Sequence, residues 1–172
     1  EQPRMGDRLK PLLRPESIAI VGVSSDFNKL NGRVLKFLMD KGFPGRIYPI
    51  NPKYDEIAGL RCYPDIASVG KPVDLAVVAV PARAVLPAVE GLAAAKVPAA
   101  VVFSSGFAEM GPEGRDLEQK IAGVARDGGV QLCGPNTLGL INAFDLVHAT
   151  FSQYANGETP AGPVGFVTQS GA

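Results

Sequence analysis

The chain has 172 residues, 46% of them hydrophobic, and 17 basic side chains balance 17 acidic ones to a formal net charge of zero. These values are typical of a globular domain and exclude a disordered chain. The balanced charge argues against a general nucleic-acid or anionic-membrane binder, and the apolar runs are too short to span a bilayer. Two cysteines cannot by themselves build a disulfide framework or a four-ligand zinc site, and one histidine leaves little material for a metal centre. We therefore expect a cytoplasmic protein with reduced thiols, no metal site, and neither nucleic acid nor membrane as a partner.

The first part of the chain predicts a strand, a helix and a second strand. Residues 17–23 are a short, nearly all-apolar run, as expected for a strand that is buried on both faces of a parallel sheet. A helix follows over residues 32–41, where three apolar side chains share one face. The second strand is Arg46–Ile50. Its Pro49 predicts that the strand frays early or lies near the edge of the sheet, because proline donates no ladder hydrogen bond.

The second part repeats this alternation. Residues 74–80 predict a strong strand, and Pro81 ends it and can begin the next helix. Residues 99–103 predict a further strand. Pro112–Asp127 has the spacing of an amphipathic helix, with charged side chains on its outer face. The last strand of the series is predicted over residues 130–133.

This alternation predicts an α/β fold of the Rossmann-like, doubly wound kind, with a mostly parallel sheet and helices on both faces. Residues 1–150 are predicted to form this domain. Residues 151–163 contain several glycines and prolines and are predicted to be a linker. Residues 164–172 begin with an apolar run and predict the first strand of a second domain that the chain does not complete.

A ligand of such a domain is expected at the carboxyl ends of the strands. The residues there are mainly glycines, hydroxyl and amide side chains, with lysine and arginine among them, and they suit a phosphorylated cofactor. They are Gly22, Ser24, Ser25 and Lys29, then Asn51, Pro52 and Lys53, then Pro81, Ala82 and Arg83, then Ser104, Ser105 and Gly106, and finally Asn136.

Two features of these loops bear on the kind of cofactor. The dinucleotide fingerprint G-x-G-x-x-G is absent, because Ser24 stands in place of its second glycine. The second strand ends in Asn51-Pro52-Lys53, whereas NAD-binding domains usually carry an acidic residue there. A lysine at this place favours a ribose phosphate, as in NADP or coenzyme A (CoA). The phosphate-binding loop of nucleotidases is also absent from the sequence.

Six motifs along the chain resemble those of one family in the same order. They are GVS at 22–24, GFPGRIYPINPK at 42–53, PVDLAVVAVPA at 72–82, SSGFAE at 104–109, GPNTLG at 134–139 and TQSGA at 168–172. The chain thereby resembles the N-terminal CoA-binding domain of NDP-forming acyl-CoA synthetases. That family includes ADP-forming acetate–CoA ligases and the succinyl-CoA synthetase α subunit, and related domains are fused to lysine acetyltransferases.

The resemblance implies a role for several residues. It implies that the turn Ser24-Ser25-Asp26-Phe27 binds the CoA phosphates and that Lys53 contacts the nucleotide part of CoA. It implies that Val80-Pro81-Ala82 lines the adenine and pantetheine path and that Phe103-Ser104-Ser105 is another stretch in contact with CoA. Asn136 is implied to lie near the thiol end.

The resemblance also implies what the parent enzyme contains. An acid–thiol ligase of this family uses ATP or ADP with Mg²⁺. Its thioester chemistry runs through a phosphohistidine, formed from the nucleoside triphosphate or from an acyl phosphate, in a downstream ligase domain, together with an ATP-grasp domain or subunit. The pair Ser170-Gly171 resembles the start of the helix that holds the phosphohistidine. The chain itself is then expected to bind CoA or acyl-CoA and to contribute no catalytic residue.

Two other functions stay open from the residues. The domain could be a CoA- or nucleotide-sensing module of a fused acetyltransferase, or an NAD(P)-binding domain.

Overall fold

The computed structural model describes residues 5–169, which form nine strands and four α-helices. The strands are β1 (Ser17–Val21), β2 (Arg46–Ile50), β3 (Glu56–Ile57), β4 (Leu60–Arg61), β5 (Leu75–Val78), β6 (Ala99–Val102), β7 (Gln131–Cys133), β8 (Gly139–Asn142) and β9 (Val147–Thr150). The helices are α1 (Met5–Leu13), α2 (Leu30–Asp40), α3 (Ala82–Ala94) and α4 (Pro112–Asp127).

Five strands form one parallel sheet in the order β2-β1-β5-β6-β7. The chain runs from β1 outward to β2, returns to the other side of β1 at β5, and then continues outward. The predicted Rossmann-like fold is confirmed, and its topological switch point lies between β1 and β5. The edge position predicted for the strand that contains Pro49 is also confirmed, because β2 ends the sheet.

Helices cover both faces of this sheet. Successive strand residues alternate between two hydrophobic clusters, as Ile18 and Ala19 do, because side chains of a strand point to opposite faces. One cluster includes the buried face of α2, and the other includes the buried faces of α3 and α4. Both faces of the central strands are therefore buried, which explains their continuous apolar composition.

The stretch after β7 forms an antiparallel hairpin, β8–β9, that the sequence analysis did not predict. All four residues of β9 are buried, although two of them are polar. Thr150 Oγ1 donates to the Leu138 carbonyl over 2.6 Å, and His148 Nε2 lies 2.8 Å from Thr159 Oγ1, whereas His148 Nδ1 has no hydrogen-bond partner among the described residues. Burial lowers the pKa of His148, which favours the neutral form of its side chain.

The end of the described chain differs from its prediction. Residues 164–169 are exposed and lie in no strand, so the predicted strand does not form in the part that the structure describes. A strand needs a neighbour for its backbone groups, and no strand among residues 5–169 pairs with this stretch. Ser170 and Gly171, the predicted helix start, lie outside the described residues. The division into domain, linker and second domain stays a prediction. Among residues 5–169, no helix has the length and apolarity to cross a membrane.

Candidate functional site

A cleft of about 470 Å³ opens at the switch point of the sheet. It lies between the amino end of α2 and the loops that follow β5 and β6. The lining residues are small or polar with few exceptions. They are Lys29, Leu30, Asn31, Ala79, Val80, Pro81, Ala82, Phe103, Ser104 and Ser105.

Gly22 brings the loop after β1 against the loop after β5. Its backbone has a φ of +85°, in the region that side chains disfavour, and a Cβ built there would lie 2.5 Å from Val80 Cγ1 and 2.7 Å from the Ala79 carbonyl oxygen. Only glycine fits this approach without displacement of its neighbours. The position therefore sets how closely two walls of the cleft can meet.

Side-chain and backbone hydrogen bonds join the strand ends to one another. The side-chain amide of Asn51, at the end of β2, donates to the Val23 carbonyl over 2.8 Å. Ser104 Oγ, after β6, donates to the Val80 carbonyl over 2.6 Å, and the Asn136 N–H, after β7, donates to the Ser104 carbonyl over 2.9 Å. These contacts hold the loops in a fixed relation around the cleft.

Two helices present unpartnered N–H groups at this edge of the sheet. No side chain caps α2 or α3. The N–H groups of Leu30 and Asn31, and those of Ala82 and Arg83, donate to no group in the described residues. Three of these four residues line the cleft. Free N–H groups and the positive end of the helix dipole favour an anion, and phosphate is the common one at such places.

Seven of the predicted site residues line the cleft: Lys29, Val80, Pro81, Ala82, Phe103, Ser104 and Ser105. The remaining eleven lie outside this lining, and four of them, Asn51, Pro52, Lys53 and Asn136, follow β2 and β7, whose loops do not line the cleft. Contact of these eleven with a ligand stays a prediction. Lys53 and Arg83 are exposed cations without an ion-pair partner in residues 5–169, and Pro52 beside Lys53 is exposed as well.

The loop after β1 is shaped by its own side chains. Ser24 is buried, and its Oγ accepts the Asp26 N–H over 3.0 Å. The Asp26 carboxylate in turn accepts the Asn28 N–H over 3.0 Å. Phe27 packs against the hydrophobic cluster beneath the loop. These contacts give Ser24, Asp26 and Phe27 a part in holding the turn, while Ser25 stays exposed.

The Gly106 N–H is already engaged, because the carboxylate of Glu109 accepts it. This hydrogen bond lowers the pKa of Glu109. Gly106 is one of the predicted ligand contacts. In the structure its N–H is available to a ligand only after Glu109 turns away.

Sequence reasoning missed two polar residues at the site. The Asn31 amide lines the cleft and donates to the Gly22 carbonyl over 2.8 Å, which fixes the start of α2 against β1. The Tyr54 hydroxyl interacts with Ser25 and Ser24, and these hydrogen bonds, with smaller help from Lys29, lower its pKa. Tyr54 directly follows Lys53, and that adjacency was the available signal.

Comparison with known proteins identifies the family. Residues 16–143, which include all the strand ends described above, match the family of CoA binding domains. The chain belongs to this family. The ADP-forming acetate–CoA ligase I of Archaeoglobus fulgidus is 42% identical over 164 residues, which are 95% of this chain and 23% of that protein.

Two further relatives agree. The α subunit of the ADP-forming acetate–CoA ligase I of Pyrococcus furiosus is 33% identical over 168 residues, covering 95% of this chain and 36% of that subunit. The apo structure of the dinucleotide-forming acetyl-coenzyme A synthetase 1 of Candidatus Korarchaeum cryptofilum shares 40% identity at a TM-score of 0.80, over 83% of this chain and 31% of that one. The CoA-binding domain thus spans about a quarter to a third of these relatives.

Proposed function

We propose that this CoA-binding domain holds CoA in the cleft at the switch point and directs its thiol towards the rest of an NDP-forming acid–CoA ligase. The observation that carries this proposal is the pair of uncapped helix starts, α2 and α3, at a cleft of about 470 Å³. A phosphate there would accept hydrogen bonds from N–H groups that otherwise have no partner in residues 5–169.

The residues around the cleft suggest how CoA lies. The diphosphate is placed at Ser25, Lys29 and the helix starts. The phosphate on the ribose is placed near Lys53. The pantetheine arm runs between Val80–Ala82 and Phe103–Ser105, and the thiol leaves near Asn136. The chemical contribution of the domain is orientation, because a thiol fixed near an acyl phosphate replaces a bimolecular encounter with a local one.

The parent activity that we propose is acid–thiol ligation with ATP or ADP and Mg²⁺, in the cytoplasm. The downstream ligase domain and an ATP-grasp domain or subunit would supply the phosphohistidine and the nucleotide site. This chain would contribute binding and no catalytic residue. A sensing role in a fused acetyltransferase would use the same cleft without the ligase domain, whereas Lys53 after β2 disfavours NAD.

Calorimetric titration of the chain with CoA, NADH and NADPH tests the proposed ligand. We expect CoA to bind at least about tenfold more tightly than either dinucleotide, a difference of about 1.4 kcal/mol. Tighter binding of NADH would overturn the proposal. Synthesis of a thioester by this chain alone from acid, ATP and CoA would contradict the assignment of the catalytic groups to other domains.

Lys53→Ala is expected to weaken the binding of CoA by about two- to fivefold, the range of an exposed ion pair, and to leave the affinity for dephospho-CoA unchanged. The reason is that dephospho-CoA lacks the phosphate placed beside this lysine. Lys71→Ala is the matched control, because Lys71 is an exposed lysine before β5, at the opposite end of the strands. Equal losses of both ligands in Lys53→Ala would reject the placement of the ribose phosphate.

A further inference from the structure

Phe151, the first residue after β9, is connected both to the loop after β1 and to a residue that lines the cleft. Its carbonyl accepts a hydrogen bond from Arg33 Nη1 over 3.0 Å, while Arg33 Nη2 donates to the Asn28 carbonyl over 2.9 Å. Its ring lies edge-on to Phe103, with ring centroids 4.9 Å apart, and Phe103 lines the cleft. One residue therefore joins the loop after β1 and the cleft wall after β6.

Arg33 has no carboxylate partner among residues 5–169. Both arms of its guanidinium group are used on backbone carbonyls, one in the loop after β1 and one at Phe151. The planar fork of an arginine can hold two acceptors at once, whereas a lysine ammonium at the end of a flexible stem cannot reproduce this geometry. The side chain thus acts as a bridge and not as half of an ion pair.

Beyond the ring of Phe151, which packs against the hydrophobic cluster, the segment of residues 151–159 is held mainly by polar contacts. Ala155 is its one buried residue. Lys41 Nζ donates to the Gly157 carbonyl, and Thr159 pairs with His148. The short 3₁₀ turn inside it has only a few backbone hydrogen bonds. Segments with little buried apolar surface are the ones that open at low free energy.

We propose that Arg33, together with the ring of Phe151, couples occupancy of the cleft to the order of residues 151–159. The proposal rests on the proposed function, since CoA is the ligand that would fix the loop after β1. A ligand that restrains the Asn28 carbonyl and Phe103 restrains both contacts of Phe151. The coupling is reciprocal, so an ordered segment also favours the ligand. Arg33 is a positioning residue in this scheme and does not touch CoA.

Hydrogen exchange of the 172-residue chain, with and without saturating CoA, measures the coupling. The reporters are the N–H groups of Tyr154, Ala155 and Gly157, which donate to Ser152 Oγ and to the Ser152 and Tyr154 carbonyls. We expect CoA to slow their exchange by about fivefold or more. If calorimetry shows that CoA binds to the wild-type chain but the exchange rates of these three N–H groups do not change, the proposal is overturned.

Arg33→Ala and Arg33→Lys are both expected to reduce this CoA-dependent change to less than about twofold. Arg33→Lys keeps the positive charge but cannot hold both carbonyls. If it does not restore the CoA-dependent change in exchange, the two hydrogen bonds of Arg33 are responsible and its charge alone is not. Lys36→Ala, one turn further along α2 and paired with Asp40, is the control and should keep the full effect. A purely structural Arg33 would speed exchange in the free chain but leave the CoA-dependent change intact, and that result would reject the coupling.

A failure of the proposed function can be told apart from a failure of the coupling. If calorimetry detects no CoA binding, the proposed function fails. Hydrogen exchange of the chain without CoA then still tests whether Arg33 bridges the loop after β1 and Phe151. Arg33→Lys should then speed exchange both at Lys29, whose N–H donates to the Asp26 carbonyl, and at the three reporters. Faster exchange at one end alone would overturn the bridge.

Discussion

Gly22→Ala is expected to destabilise the domain by several kcal/mol and to remove measurable CoA binding. The left-handed backbone at φ +85° contributes about 1–2 kcal/mol. The overlap of the new Cβ with Val80 and the Ala79 carbonyl adds about 1–3 kcal/mol through forced displacement of the cleft walls. Urea denaturation followed by circular dichroism measures the first effect, and calorimetry with CoA measures the second.

Gly42→Ala is the matched control for this change. Gly42 lies two residues after the end of α2 and has a φ of +73°, yet a Cβ there would meet no atom within 4 Å. Its substitution should lose only the backbone contribution, about 1–2 kcal/mol, and should leave CoA affinity unchanged. If the two variants lost the same stability and bound CoA equally, the close approach at Gly22 would have no role in the cleft.

Phe107→Ala is expected to cost about 3–5 kcal/mol of unfolding free energy. Phe107 is fully buried between the cleft loop after β6 and α4, and its backbone carbonyl lies so close to Gly114 that the helix packs directly on it. Loss of the ring leaves a cavity beneath residues 104–106. CoA affinity should therefore fall along with stability, as measured by chemical denaturation and calorimetry.

Phe144→Ala removes the same side chain from an exposed place and serves as the comparison. Phe144 is 68% exposed in the turn between β8 and β9. Its replacement should change stability by no more than about 0.5 kcal/mol. A loss below about 1 kcal/mol in Phe107→Ala would contradict the packing described here.

The sheet was predictable because a strand that is buried on both faces has a short, continuous apolar sequence. Each central strand is a short apolar run, and the structure places every one within the predicted range. The hairpin β8–β9 has no such apolar pattern, because His148 and Thr150 are polar residues at buried positions, and their partners Thr159 and Leu138 lie outside the hairpin strands, 11 and 12 residues away along the chain. Pairings of that kind are decided by tertiary contact and not by periodicity.

The candidate site was predictable to the extent that strand order could be inferred. Once the strands are parallel, their following residues must meet at one edge, and seven of the eighteen predicted residues line the cleft. Asn31 and Tyr54 were missed because their roles depend on where α2 and the end of β2 point. The engagement of Gly106 by Glu109 could not be foreseen from composition, since it depends on the fold of one loop.

The hydrogen bonds that join the strand ends limit how this domain can change in evolution. Asn51, Ser104 and Asn136 each reach across to a loop from another strand. An insertion in any one of these loops would therefore also displace a group that is hydrogen-bonded to a neighbouring loop. Lengthening is therefore expected to be tolerated at the β3–β4 turn, where Gly59 meets no neighbouring atom, and not at the rim of the cleft.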